Sequence, residues 1–462
     1  MRARRRANRR RPAEQTMRAL WPPLLFGLVL LPMASRAGDL VEAYRQAVAN
    51  DPVLSSASAA QRVTAENVPQ ARSALLPQLS LGLGMEQIHG GSGSVTSSNG
   101  NIVSTGGGRT RERDLSGTLS QPLLDVAAIA QLRAAHASRD AGEQVYRAAA
   151  QQLCIRVASA YFNVLVAEDE LGVFQSYEDA YKQEFDQSSV RFHNGLAMAS
   201  DVSQSQAYYL YIKSQRISAE AQLKDARRAL EQITGAPTGE LKKLRDDLPL
   251  TPPQPADAKA WVDAATHSNP TVLAADYTVN ADRHRVAAAR AGHLPTLDAK
   301  LQYGKFGVWS SAVPGAAAYG PGVTTVGLTL NVPIFSGGLT RSQVRQALAR
   351  RDEDEGVLES QRRQAARDAS NYYNLVVDGI EQVQVARTSV DAARKAVASM
   401  RAGYEIGTQS LTNVVVAIGT LANVQSEYTV VRHQFVLNKL LLKQAAGTVD
   451  LHDLEDVNRL LQ

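Results

Sequence analysis

Residues able to do covalent chemistry are few and scattered in this chain of 462 residues. HGGSG, His89 to Gly93, has the composition of an oxyanion loop, but no G-x-S-x-G elbow exists for it to serve. GLG, Gly82 to Gly84, lies in an alternating segment and lacks the rest of a dinucleotide fingerprint. The eight histidines contain no H-x-x-x-H pair, and the single cysteine, Cys154, belongs to no cluster, which argues against zinc. Arg227–Arg228, Arg350–Arg351 and Arg362–Arg363 are flanked by Asp or Glu and read as solvated helix faces, not nucleic-acid patches. No enzyme, cofactor or metal is predicted, and no nucleotide-binding loop supplies energy.

What does recur is a turn. RAGYEIGTQSLTNVVVAI, Arg401 to Ile418, interrupts a long polar helical run, with Gly403 and Gly407 as the breakers. VRFHNGLAMASDVSQSQA, Val190 to Ala207, matches it: Phe192 falls opposite Tyr404, Gly195 opposite Gly407, Asp201 opposite Asn413 and Val202 opposite Val414. Other pairs follow at similar offsets. ASAYFNVLV matches ASNYYNLVV, LEQITG matches LKQAAG, NDPVL matches SNPTVL and LLPQL matches HLPTL. One unit is used twice.

The formal charge of +5 belongs to the leader. Residues 1–37 hold nine Arg and one Glu, so 41 basic and 44 acidic residues remain beyond them. A basic stretch to Arg18, an apolar run from Leu20 to Met33 and SRA, Ser35 to Ala37, read as a secretory signal, with Met17 as an alternative start. A lone cysteine makes no internal disulfide, and Cys154, between Leu153 and Ile155, reads as a packed apolar position.

Each half shows helix, strand, loop, strand, long helix, turn, helix. Helical spacing runs from Asp39 to about Ser73. Leu79, Leu81, Leu83 and Met85 alternate with polar residues or glycine, as do Leu297 to Tyr303 and Val326 to Val332, while Leu115 and Leu119 share one face of the second strand. After Pro122 and again after Pro333 comes a helical run of about 65 residues, roughly 100 Å long at 1.5 Å per residue. No run of 18 apolar residues follows the signal, so no membrane-spanning helix is expected. One-sided strands suit a membrane β-barrel, yet four cannot close one, and an open edge in lipid would leave backbone groups unpaired. Three copies would supply 12 strands. The competing reading is a periplasmic coiled-coil scaffold without a pore.

NDPVL, LLPQL, QPLLD, RFHNGLAMASDV, LEQITG, VPIFSGG and RAGYEIGTQSLTNVV, in this order over residues 39–447, resemble the TolC family of outer-membrane channel-tunnels. The resemblance implies an α+β membrane protein of a Gram-negative bacterium. It would be a homotrimer with a 12-stranded outer-membrane barrel, four strands per chain, continued by a long helical tunnel across the periplasm. After the signal, 1–37, it implies a first repeat over 38–235, an equatorial segment over 236–258, a second repeat over 259–447 and a tail over 448–462. Loops 89–112 and 307–322 would lie outside the cell. The implied function is a passive exit duct of a tripartite efflux or type I secretion system. Its partners would be outer-membrane lipid, a periplasmic adaptor and an inner-membrane pump of ABC, RND or MFS type. The long first loop and LLPQL lean toward secretion.

By the same resemblance, Gly195, Leu196, Gly407 and Thr408 make the tip that docks the adaptor, and Tyr404 bonds Asp201 to lock the gate. The residues alone also allow Asp201 to be a helix cap. Where the family has an Arg two residues past the glycine, this chain has Gln409, and the two entrance aspartates are Asn413 and Val416. A strongly anionic ring therefore does not follow.

Overall fold

The computed structural model describes residues 38–90, 93–96, 102–105, 108–310 and 317–462. The expected signal, part of the HGGSG motif and the centres of both outer loops lie outside the described residues.

The chain opens with two helices, α1 (Leu40–Asn50) and α2 (Pro52–Ser73), where the sequence periodicity expects one. Pro52 has no N–H to continue α1 and is preorganised for a first helical turn. Asp51 caps the new helix, its Oδ2 accepting from the Leu54 N–H at 2.8 Å.

Next come β1 (Gln78–Gly90), β2 (Gly93–Thr96), β3 (Ile102–Thr105) and β4 (Gly108–Leu124). The expected first loop thus carries a small hairpin, β2–β3, and the flanking strands run further into it than expected. Then α3 (Val126–His193) turns into α4 (Ala199–Thr234). α5 (Ala258–Ser268) and α6 (Pro270–Ala291) divide at Pro270 as α1 and α2 do at Pro52. β5 (Thr296–Ser310), β6 (Ala317–Tyr319) and β7 (Val323–Asn331) follow. β7 stops short of Pro333, which has no donor for a ladder. α7 (Leu339–Glu405), α8 (Leu411–Ala445) and a short α9 (Leu451–Asn458) complete the chain.

The main sheet is antiparallel. β4 lies between β1 and β5, and β6 and β7 share the far side of β5. Its register puts Leu79, Leu119, Leu301 and Val326 in one row across four strands. Among the described residues no second layer covers that face: Leu79 and Val326 are 79% and 78% exposed.

α3 and α7, 68 and 67 residues long, run away from the sheet for roughly 100 Å. α8 is more apolar than the sequence reading allowed, long and apolar enough to cross a membrane by length and composition. It packs instead along α7 and α3 and buries Arg432, His433 and Asn438.

The core lies midway. Tyr161, Phe162 and Phe435 are fully buried there, and the Tyr161 hydroxyl donates to the Gly38 and Lys242 carbonyls, both at 3.0 Å. Arg432 reaches Asp169 and Asp246, each at 3.0 Å, tying the 236–258 segment to the helices. The segment after 447, expected as a tail, is folded: α9 packs on α1, and Leu461 pairs with Leu244.

Two sequence motifs meet at each end of this core. Asn50 donates to the Thr234 carbonyl at 2.8 Å, beside Gly235. Asn269 donates to the Ala445 carbonyl at 2.9 Å, beside Gly447. Gly447 has φ +77°, and a Cβ there would stand 2.5 Å from the Ser268 carbonyl oxygen. Gly447→Ala is expected to destabilise by about 2 kcal/mol or more, from left-handed strain plus a backbone clash. Thermal unfolding in detergent checks this, and an unchanged midpoint refutes it.

Candidate functional site

The end of the helices remote from the sheet holds the gate and tip residues that the resemblance singled out. α3 closes at Gly195 and α7 at Gly407, with φ +73° and +79°. At each, an N–H reaches back five residues: Leu196 to the Arg191 carbonyl at 2.8 Å, and Thr408 to the Gly403 carbonyl at 2.8 Å. This is the glycine-terminated closure that the left-handed residue permits. Gly403, expected to break the helix, lies inside α7 instead. Its missing Cβ matters for another reason: a Cβ would meet Gln409 Cγ at 2.6 Å, so Gln409 folds back over this turn.

Ser410 Oγ caps α8, accepting from the Asn413 N–H at 3.3 Å, and Asn413 Nδ2 donates to Gln409 Oε1 at 2.8 Å. Asp201 caps α4, its Oδ2 accepting from the Met198 N–H at 3.2 Å. The Tyr404 ring lies under the Arg191 guanidinium, 4.6 Å away. Among the described residues of this one chain, no hydrogen bond joins the Tyr404 hydroxyl to Asp201. Leu196 and Ile406 are exposed knobs at the extremity.

Other links join the two hairpins. Leu411, Val414, Val415 and Ile418 of α8 pack with Tyr177, Tyr181, Ile212 and Val397. The Tyr181 hydroxyl donates to the Val415 carbonyl at 3.0 Å. Thr412 Oγ1 donates to Gln204 Oε1 at 3.2 Å, and Arg401 Nε lies 3.5 Å from Glu184 Oε1. Glu184 is buried, which pushes its carboxyl above the usual glutamate range against the pull of Arg401 and Arg191. Sequence reasoning missed this pair. The signal was present in Tyr177, Tyr181, Glu184 and Ser188, which follow coiled-coil spacing with a carboxylate at a core position, and all four are buried.

The opposite face of α8 is bare. Asn413, Val416, Thr420, Asn423, Glu427 and Val430 are exposed at alternating steps of three and four, and the row continues to Gln434. Its single charge is Glu427.

The profile of the family described as outer membrane efflux protein matches residues 43–236 and 261–448. Outer membrane protein TolC of Escherichia coli is 30% identical over 95% of this chain and 88% of its own length. The chain belongs to the TolC family. The alkaline protease secretion protein AprF of Pseudomonas aeruginosa is 27% identical over 95% of this chain and 91% of its own. Among solved structures, the outer membrane protein VceC of Vibrio cholerae superposes with a TM-score of 0.75 at 17% identity, over 88% of this chain and 96% of that one, a likeness of fold. As a TolC-family member, this is an outer-membrane channel protein of efflux or secretion.

Proposed function

We propose that three copies close their sheets into one 12-stranded barrel and continue it as a helical tunnel across the periplasm. The observation that carries this is the sheet. Its outer strands, β1 on one side and β7 on the other, have no further neighbour among the described residues, and its apolar face is bare. In lipid those edges must pair, and copies of the same chain offer matching edges. Residues 38–235 and 259–447 supply one wall unit each, and 236–258 forms part of a belt outside the wall.

The turns at Gly195 and Gly407 make the periplasmic tip. Leu196, Gly195, Gly407 and Thr408 dock a periplasmic adaptor, with exposed Leu196 and Ile406 as its apolar contacts. Asn413 and Val416 face the axis as the constriction, beside Gln409. The Glu184–Arg401, Thr412–Gln204 and Arg191–Tyr404 contacts hold the hairpins together within a chain. Tyr404 and Asp201, each half-buried within one chain, meet between neighbouring chains as the lock. An inner-membrane pump of ABC, RND or MFS type supplies the energy and selects the cargo. The relative named for protease secretion favours a type I secretion system.

Mature protein purified in detergent should cross-link to a trimer and give small, stable openings in a planar bilayer. A monomer without conductance would overturn the channel and leave a periplasmic scaffold.

A further inference from the structure

Two acids meet where α6 packs on α7. Asp282 of α6 is 1% exposed. Asp354, roughly 23 Å along α7 from its start at Leu339, is largely buried. The two carboxyl groups are hydrogen-bonded to each other across the helix interface. A carboxylate only accepts, so this contact needs a proton between the two. Their oxygens agree: Asp282 Oδ2 and Asp354 Oδ2 are each buried without a donor among the described residues. An O–H on one gives the other its donor and satisfies both.

The surrounding cations do not replace that proton. Arg285 Nη1 is committed to the other oxygen, Asp282 Oδ1, at 2.5 Å, and its Nη2 donates to Ser138 Oγ of α3 at 3.0 Å. Arg350 Nη1 donates to Glu353 Oε2 at 3.1 Å, while its Nε stays 3.5 Å from Asp354 Oδ2, outside the usual hydrogen-bond range. On α3, Arg139 and Asp140 flank Ser138 and pair with each other at 2.6 Å. On α6, Arg283 turns to Glu355 of α7 at 3.7 Å. Neither His136 of α3 nor His284 of α6 bonds to either acid.

Packing at this level does not require two acids. Where α2 meets α3 in the first repeat, Thr64 lies against Gly142, and a Cβ on Gly142 would stand 2.2 Å from Thr64 Oγ1. Thr64 precedes Asp282 by 218 residues, the spacing between LLPQL and HLPTL. The second repeat alone places carboxyl groups here.

The pair is split electrostatically. Its hydrogen bond with Asp282, then burial and repulsion, push the Asp354 carboxyl up to about 6, against Arg350. Burial also works to raise Asp282, but the bonds from Asp354 and Arg285 outweigh it and hold that carboxyl below the usual aspartate range. One acid and one carboxylate result in mild acid.

We propose that Asp282 and Asp354 share one proton as a clamp that fastens α6 to α7 in mild acid and loosens at neutral pH. The clamp lies within one chain and does not depend on the barrel reading. A carboxyl raised in the folded wall gives stability that is fully present below the ordinary aspartate value of 3.8 and lost as pH rises through about 6. Asp282 has the opposite sign and matters only in stronger acid. From about pH 5 to about pH 8 the folding equilibrium should fall about tenfold per chain through this pair.

The test compares the unmodified full-length protein with Asp354→Asn, whose amide donates to Asp282 at every pH. In infrared difference spectra between about pH 5 and about pH 8, the unmodified protein should lose a protonated-carboxyl band that Asp354→Asn lacks. Asp282→Asn should abolish the same band. Guanidinium unfolding in detergent should find the unmodified protein and Asp354→Asn equally stable at about pH 5, with Asp354→Asn about tenfold ahead in its folding equilibrium at about pH 8. Glu184 and the histidines titrate in both proteins, so the difference isolates the pair. Identical infrared spectra, or a stability difference that does not change with pH, overturn the shared proton. So does a calcium-dependent gain in stability that Asp354→Asn loses, which would put a divalent cation between the acids.

Discussion

Arg401→Ala opens the tip at neutral pH. Arg401 is the partner of a buried carboxylate, and removing it leaves Glu184 with only Arg191 to offset its charge. Breaking a fully buried pair in this way costs about 3–5 kcal/mol. Arg401 is 41% exposed, so solvent already screens part of the interaction and about 1–2 kcal/mol per chain is a fairer figure. That is roughly a tenfold shift toward the open state per chain.

The sign with pH follows from linkage. Burial raises the Glu184 carboxyl in the closed tip, so the closed state binds a proton more readily than a splayed tip with Glu184 in water. Acidification therefore favours closure, and that contribution is lost as pH rises through the raised value. Glu184→Gln, a neutral isostere, removes the burial penalty and keeps the tip shut. The double variant Glu184→Gln/Arg401→Ala should be less open than Arg401→Ala alone. Bilayer conductance across pH 5 to about 8 reads all of this. Equal conductance of Arg401→Ala and the unmodified channel, or a more open Glu184→Gln, would sink it.

Asn413→Asp with Val416→Asp turns a weakly selective channel into a cation-selective one that divalent ions block. Both positions are exposed on the bare face of α8, one turn apart. Three copies would place six carboxylates around the axis, and rings of Asp or Glu are what make cation pores. In a narrow mouth this should raise cation over anion permeability by roughly tenfold. Reversal potentials in a salt gradient measure it. Strong cation selectivity in the unmodified protein would mean that the constriction lies elsewhere, with Glu427 the first residue to replace.

Much of this was legible in the residues because it depends on local rules. Period-two alternation located the four long strands and the apolar face of each, while the register that sets Leu79 beside Leu119 needed the structure. Two glycines located two hairpin turns because only a left-handed residue closes them without strain. What failed was also local but competitive. At Pro52 and Pro270 a missing donor outweighed an unbroken apolar period, and one expected helix became two. Gly403 looked like a breaker but serves as a hollow for Gln409, a close approach that no pattern announces. The hairpin links were illegible for a different reason. Glu184 and Arg401 are 217 residues apart, and which helix lies against which is set by tertiary packing.

The bare stripe of α8 bears on speed. From Asn413 to Gln434 it offers amides, a hydroxyl and two valines, with one carboxylate, Glu427, in its second half. Lining the proposed tunnel, such a stripe would offer no deep wells. A charged cargo finds few counter-ions to pause on, and an apolar one finds no continuous greasy track. Passage is then limited by diffusion over shallow ripples, each comparable to thermal energy, since a pore that binds its cargo tightly holds it back. Such low friction does not depend on what is moving. It would let a single duct pass an unfolded polypeptide or a small amphiphile without being rebuilt for either, leaving discrimination to the machinery at its base.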